Sequence, residues 1–118
     1  MGYYPRTDVS IDDQGLLIEM AVPGLNMSDI TLELVNNSLV VSARMSERNQ
    51  HARYIEKELY TGYFTRQYSI NPTQFDTSKI VSKVVNGFLT VRVPYKSNIN
   101  TNRIKTLDIQ EDKWYGRK

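Results

Sequence analysis

Residues able to do covalent chemistry are few and scattered along this chain. The single histidine, His51, lies in a polar stretch. A metal site needs several converging ligands, and a nucleophilic triad needs a histidine beside a committed serine or cysteine. The sequence marks no such set around His51, which reads as a solvated loop residue. There is no cysteine, which excludes disulfide frameworks, thiolate zinc sites and cysteine nucleophiles. The carboxylate pairs Asp12-Asp13 and Glu111-Asp112 fall at a turn and near the chain end, where solvation explains them better than acid–base work. No Gly-x-x-x-x-Gly-Lys loop occurs, so nucleotide hydrolysis is unsupported. These features point away from an enzyme, and they call for no cofactor and no metal.

What the chain does have is strand pattern. Its 118 residues suit one domain, which buries roughly two thirds of the surface its unfolded form exposes. Hydrophobic residues make up 40% and charged residues 24%, as in ordinary globular proteins. Fifteen basic and 13 acidic residues leave a formal charge of +2, too even for a dedicated nucleic-acid binder. No apolar run comes near ~20 residues, so no spanning helix is expected. Met1 to Arg6 lacks the charged-then-apolar plan of a secretion signal. The expectation is a cytoplasmic protein with no membrane or nucleic-acid partner.

The hydrophobic period is two almost everywhere. Leu16, Ile18, Met20 and Val22 alternate with Leu17, Glu19 and Ala21; Ile30, Leu32 and Leu34 alternate with Thr31, Glu33 and Val35. Leu39, Val41 and Ala43 follow the same rule, as do Phe64, Arg66, Tyr68 and Ile70, then Ile80, Ser82 and Val84, and finally Leu89, Val91 and Val93. Such alternation over short stretches means half-buried strands. Turn residues separate them: Asp12 to Gly15, Pro23 to Asn26, Asn36-Asn37-Ser38, Asn71-Pro72-Thr73 and Asn86-Gly87, the last being a strong hairpin signal. The spacing predicts an all-β, antiparallel, immunoglobulin-like sandwich of seven to eight strands. Ser28-Asp29 caps one helical turn at most.

Two stretches break the pattern. Residues 45–58 are polar and long for a hairpin loop, and loops above ~12 residues in a compact domain are usually functional or mobile. Residues 95–118 follow Pro94, carry six basic and three acidic residues, and read as an extended tail.

Together these features resemble the α-crystallin domain of small heat-shock proteins. The specific segment is Val84-Val85-Asn86-Gly87-Phe88-Leu89-Thr90-Val91, which is similar to the family's signature of strand, tight turn, Leu and final strand. Val22-Pro23-Gly24-Leu25 is similar to the family's Pro-Gly turn, and Asp29 to Leu34 stands where the next strand begins. Tyr63 to Ile70 resembles its aromatic-basic strand, and Leu107-Asp108-Ile109 its tail motif. The resemblance divides the chain into residues 1–6, a remnant of the family's N-terminal arm; residues 7–94, the α-crystallin domain; and residues 95–118, the C-terminal extension. Members usually carry a longer apolar arm than the short lead here.

The resemblance implies three sets of interaction residues. Leu107 and Ile109 would lie along a sheet edge and insert into a groove formed by Leu32 and Leu34 on one strand and Ile80, Ser82 and Val84 on another. Burying two such side chains yields roughly 3–6 kcal/mol before ordering costs. In the plainer reading, the tail pair is a last strand of its own core or simply disordered, and the five groove residues close that core. Arg53, Tyr54 and Ile55 would form a strand exchanged onto the partner's Val9 and Ile11 strand; the other reading is a solvated loop. Arg66 stands where the family keeps an arginine at its dimer interface or core, and an inward arginine calls for a carboxylate partner.

By resemblance, then, the chain is expected to be an ATP-independent holdase. It would bind unfolding client proteins, assemble from homodimers into a larger homo-oligomer, and hand clients to ATP-dependent chaperones. The alternative is a scaffold or co-chaperone-like module that binds one folded partner; the Leu107-Asp108-Ile109 motif argues against it.

Overall fold

A computed structural model describes residues 4–97. Seven strands run in the order β1 (Thr7–Asp12), β2 (Gly15–Ala21), β3 (Ile30–Val35), β4 (Ser38–Met45), β5 (Gly62–Ser69), β6 (Val81–Val85) and β7 (Phe88–Pro94). Single 3-10 turns precede β3 and β6, at Met27–Asp29 and Thr77–Lys79. One sheet has the order β1-β2-β7-β6 and the other β3-β4-β5. All strand pairings are antiparallel.

Register follows from the turns. Asn36 and Asn37 both take positive φ, 50° and 64°, and Asn86 and Gly87 take 54° and 83°. Two successive left-handed residues match the right-handed twist of the flanking strands, so both hairpins close tightly. Val35 thus pairs with Ser38, and Val85 with Phe88. Period-two patterning does the rest: Leu16, Ile18 and Met20 on β2 and Leu89, Val91 and Val93 on β7 are all buried, as are Leu39, Val41 and Ala43 on β4. They form one core with Ile30, Phe64, Ile70 and Phe75.

One boundary differs from the sequence reading. Met45 is the last residue of β4 and is buried; it continues the inward series Leu39, Val41, Ala43. The long connection therefore starts at Ser46 and runs to Thr61. Ile80 also falls just ahead of β6, as the residue closing the Thr77–Lys79 turn.

Past β7 the chain stays pinned briefly. Phe75 bridges Tyr95, their rings stack at 5.4 Å, and the Lys96 N–H donates to the Gln74 carbonyl at 3.1 Å. These contacts hold Tyr95 and Lys96 against the segment ahead of β6.

Candidate functional site

The two sheets are unequal, and that inequality shapes both rims of the sandwich. Arg66 on β5 donates from Nη1 to the Pro5 carbonyl at 2.7 Å, just ahead of β1. Phe64 on β5 meets the Tyr4 ring edge-on at 6.4 Å. Strand β5 therefore lies on the β1 side, and β3, the opposite edge of its sheet, lies on the β6 side.

At the β3–β6 rim, the inward face of β3 grades from buried Ile30 through half-buried Leu32 to Leu34, which is 43% exposed. The inward residues of β6, Ser82 and Val84, are half-buried, as is Ile80 before it. Leu32, Ile80 and Val84 pack against the core. The five residues named from sequence thus sit on the inner faces of two sheet-edge segments, four of them apolar and all incompletely covered.

At the β1–β5 rim, Val9 pairs with Ile18 and Ile11 with Leu16, so both point to the inner face. They are nonetheless 51% and 38% exposed. The smaller sheet has one strand fewer, and among the described residues no strand of it lies over β1. Among the described residues β1 pairs only with β2, leaving its other edge with free N–H and C=O groups. Arg66 is half-buried beside this rim. Among its contacts, Arg66 reaches the Pro5 backbone carbonyl and the face of Tyr68, 5.6 Å from the guanidinium.

The connection between β4 and β5 is exposed from Ser46 to Tyr60. Arg53, Tyr54 and Ile55 form no strand within the chain, and Ile55 is fully exposed. Tyr54 is steadied locally: its hydroxyl donates to the Asn49 carbonyl at 3.2 Å, and the Lys57 ammonium lies 5.3 Å from its ring. The loop's feet are held to the sandwich. Arg48 reaches the Pro23 carbonyl at 3.4 Å, and the Tyr60 ring stacks on Tyr4 at 4.1 Å. Leu107 and Ile109 lie outside the described residues.

Sequence reasoning missed the role of residues 4–6. Pro5 is fully buried, the Arg6 carbonyl accepts from the Ala21 N–H at 3.0 Å, and the Tyr4 hydroxyl donates to Met45 Sδ at 3.3 Å. Burial is the main cause raising the Tyr4 phenol above its ordinary pKa, with Tyr60 adding to it and Arg48 opposing. The available signal was the aromatic-proline run Tyr3-Tyr4-Pro5 ahead of the first strand.

Charge is used sparingly. Arg92 Nη1 meets Asp12 Oδ1 at 2.7 Å, and the Tyr95 hydroxyl donates to the Asp12 carbonyl at 3.0 Å. Burial, the largest influence on the Asp12 carboxyl, pushes it up. Arg92, as hydrogen-bond donor and as charge, and the Gln14 and Gly15 N–H groups together outweigh it and leave the carboxyl below its ordinary value. Among the described residues no group of three or more His, Cys, Asp or Glu is placed to hold a metal ion. No described helix is long and apolar enough to cross a membrane.

The described residues thus form an unequal antiparallel sandwich whose two rims carry partly exposed apolar side chains. The model of the Hsp20/alpha crystallin family matches residues 8–110, and this chain belongs to that family. It is 31% identical to small heat shock protein C2 of Rickettsia felis over 86% of its own length and 66% of that protein's. It is 28% identical to small heat shock protein C4 of the same organism, covering 63% of it. The chain thus spans a little under two thirds of these relatives. Among solved structures, a small heat-shock protein from Xylella fastidiosa superposes with a TM-score of 0.75 at 18% identity, over 83% of this chain and 91% of that one. Heat shock protein 16.0 from Schizosaccharomyces pombe does so with a TM-score of 0.70 at 23% identity, over 84% and 93%. At those identities the likeness is one of fold.

Proposed function

We propose that this chain is an ATP-independent holdase chaperone that captures apolar, strand-prone segments of partly unfolded proteins and keeps them from aggregating. The observation that carries this is the pair of uncapped rims, where inward-facing Leu34, Val9 and Ile11 remain 38–51% exposed beside sheet edges. Such a rim offers backbone hydrogen bonds to an added strand and pockets for its alternate side chains. It is also an aggregation hazard unless covered.

Sister subunits are the proposed covers. The Leu107 and Ile109 pair of a tail lies in the groove of Leu32, Leu34, Ile80, Ser82 and Val84. Arg53, Tyr54 and Ile55 of one subunit add a strand beside Val9 and Ile11 of another, making the dimer from which a larger homo-oligomer is built. Each tail contact is weak after ordering costs, so it exchanges with clients, while many such contacts together hold an assembly. Release needs no nucleotide, the chain works in the cytoplasm and catalyses no reaction, and refolding passes to ATP-dependent chaperones.

The test is to heat an aggregation-prone client with and without the chain and follow light scattering. Suppression at equimolar subunits is expected. Undiminished scattering at that ratio would remove the holdase reading.

A further inference from the structure

The Tyr4–Tyr60 contact carries a consequence separate from client binding. The two rings stack at 4.1 Å between centroids with 25° between their planes, closer than the usual range for aromatic pairs. Tyr4 belongs to the segment before β1, and Tyr60 to the end of the exposed loop before β5. Both rings are held. The Tyr4 hydroxyl donates to Met45 Sδ at 3.3 Å, and the Tyr60 hydroxyl donates to the Tyr63 carbonyl at 3.0 Å. Tyr60 is 39% exposed, so a diffusible oxidant reaches it. Eight tyrosines and no cysteine stand in the chain, which leaves phenols as its cross-linking side chains.

We propose that Tyr4 and Tyr60 form an oxidative modification site, where peroxide-driven one-electron oxidation joins the two rings as an intrachain dityrosine. Each phenol loses one electron and its proton. The two phenoxyl radicals couple through ring carbons beside their oxygens, and each ring returns a carbon-bound proton to its oxygen. The chain loses two hydrogen atoms, which reduce one hydrogen peroxide to two waters through a haem peroxidase. The new carbon–carbon bond ties the segment ahead of β1 to the foot of the β4–β5 loop. It thereby staples the β1–β5 rim within one subunit, doing under oxidising conditions what a disulfide does elsewhere.

Stacking pre-pays the encounter that coupling otherwise needs, because the ring carbons already sit near contact distance. Tyr63, which is 55% exposed, has Arg44 5.9 Å from its ring, and Tyr54 has Lys57 over its ring; neither is stacked on a second tyrosine among the described residues.

The experiment treats the full chain, at low concentration, with a haem peroxidase and hydrogen peroxide. It reads dityrosine fluorescence, intact mass and tryptic cross-links. The expected result is a subunit-sized product lighter by two hydrogens, with the fragment ending at Arg6 joined to the fragment spanning Glu58 to Arg66. Y4F and Y60F abolish that cross-link, whereas Y3F and Y63F retain it, which places the bond within those fragments. Circular dichroism checks that Y4F and Y60F remain folded, and the wild-type chain unfolded in urea serves as a second arm. Cross-links confined to other tyrosines, only intersubunit products, or equal yield in the unfolded chain would each overturn the proposal.

Discussion

Replacing Arg66 by methionine tests how the β1–β5 end of the sandwich is held. Methionine keeps much of the side chain's apolar stem and removes its charge and donors. What is lost is the 2.7 Å hydrogen bond to the Pro5 carbonyl and the contact with the Tyr68 ring at 5.6 Å. A hydrogen bond from a charged donor contributes about 1.5–3 kcal/mol, and an exposed cation–π contact about 0.5–1 kcal/mol. Arg66 is half-buried, so the lower figures apply, and the substitution costs about 2 kcal/mol. Arg66 has further contacts besides these two, which makes that figure a floor. With a urea slope of about 2 kcal/mol/M, the unfolding midpoint falls by about 1 M. The assay is urea unfolding followed by circular dichroism at a fixed subunit concentration, because assembly itself stabilises the fold. R66K, which keeps one donor and the charge, recovers part of the loss. A midpoint for R66M within about 0.2 M of wild type, with an unchanged slope, would refute the claim that Arg66 anchors residues 4–6.

Truncation after Pro94, or the pair L107A and I109A in the full chain, reduces the solution mass from a large assembly to a dimer, read by light scattering after size-exclusion chromatography; an unchanged mass would rule out tail docking. Gly15→Ala costs about 3 kcal/mol in thermal unfolding, because Gly15 has φ +127° and an added Cβ would lie 2.3 Å from the Val93 carbonyl oxygen. Asp12 is depressed in the folded state, so its contribution is present above the unfolded carboxyl value of about 3.9 and disappears as pH falls through the lower folded value. D12N is therefore less stable than wild type at neutral pH by at most about 1 kcal/mol, since the Arg92 pair is partly solvated, and the difference closes as pH falls through the lowered folded value. Urea midpoints measured from pH 2 to pH 7 test this, and a gap that persists in acid would point to another cause.

The strands and hairpins were legible because each rests on a local rule. Alternation fixes which face is buried, and Asn36-Asn37 and Asn86-Gly87 are residue types that tolerate left-handed backbone. Met45 escaped because it abuts a polar run, and only its place opposite Gly62 shows that β4 continues. The groove residues were legible as an inward series, but their partial exposure is not written in the pattern. It depends on which strands end each sheet, a property of the whole topology. The Arg66–Pro5 bond was illegible for a different reason: a backbone carbonyl can stand anywhere, so side-chain types give no hint of it. The Tyr4–Tyr60 stack joins residues far apart in sequence through the packing of two segments that no periodicity links.

Strand β2 is held on one side by β1, its near neighbour, and on the other by β7, with Leu16 set against Val93 and Ala21 against Phe88. The middle of the larger sheet therefore closes only after nearly the whole domain has left the ribosome. Pairing at such sequence separation carries a high loop-closure cost and slows folding, and meanwhile the apolar strands wait uncovered. On the proposed holdase reading, each newborn chain passes through a period in which it is itself a client of its mature sisters, and at high expression the finished pool escorts its own synthesis.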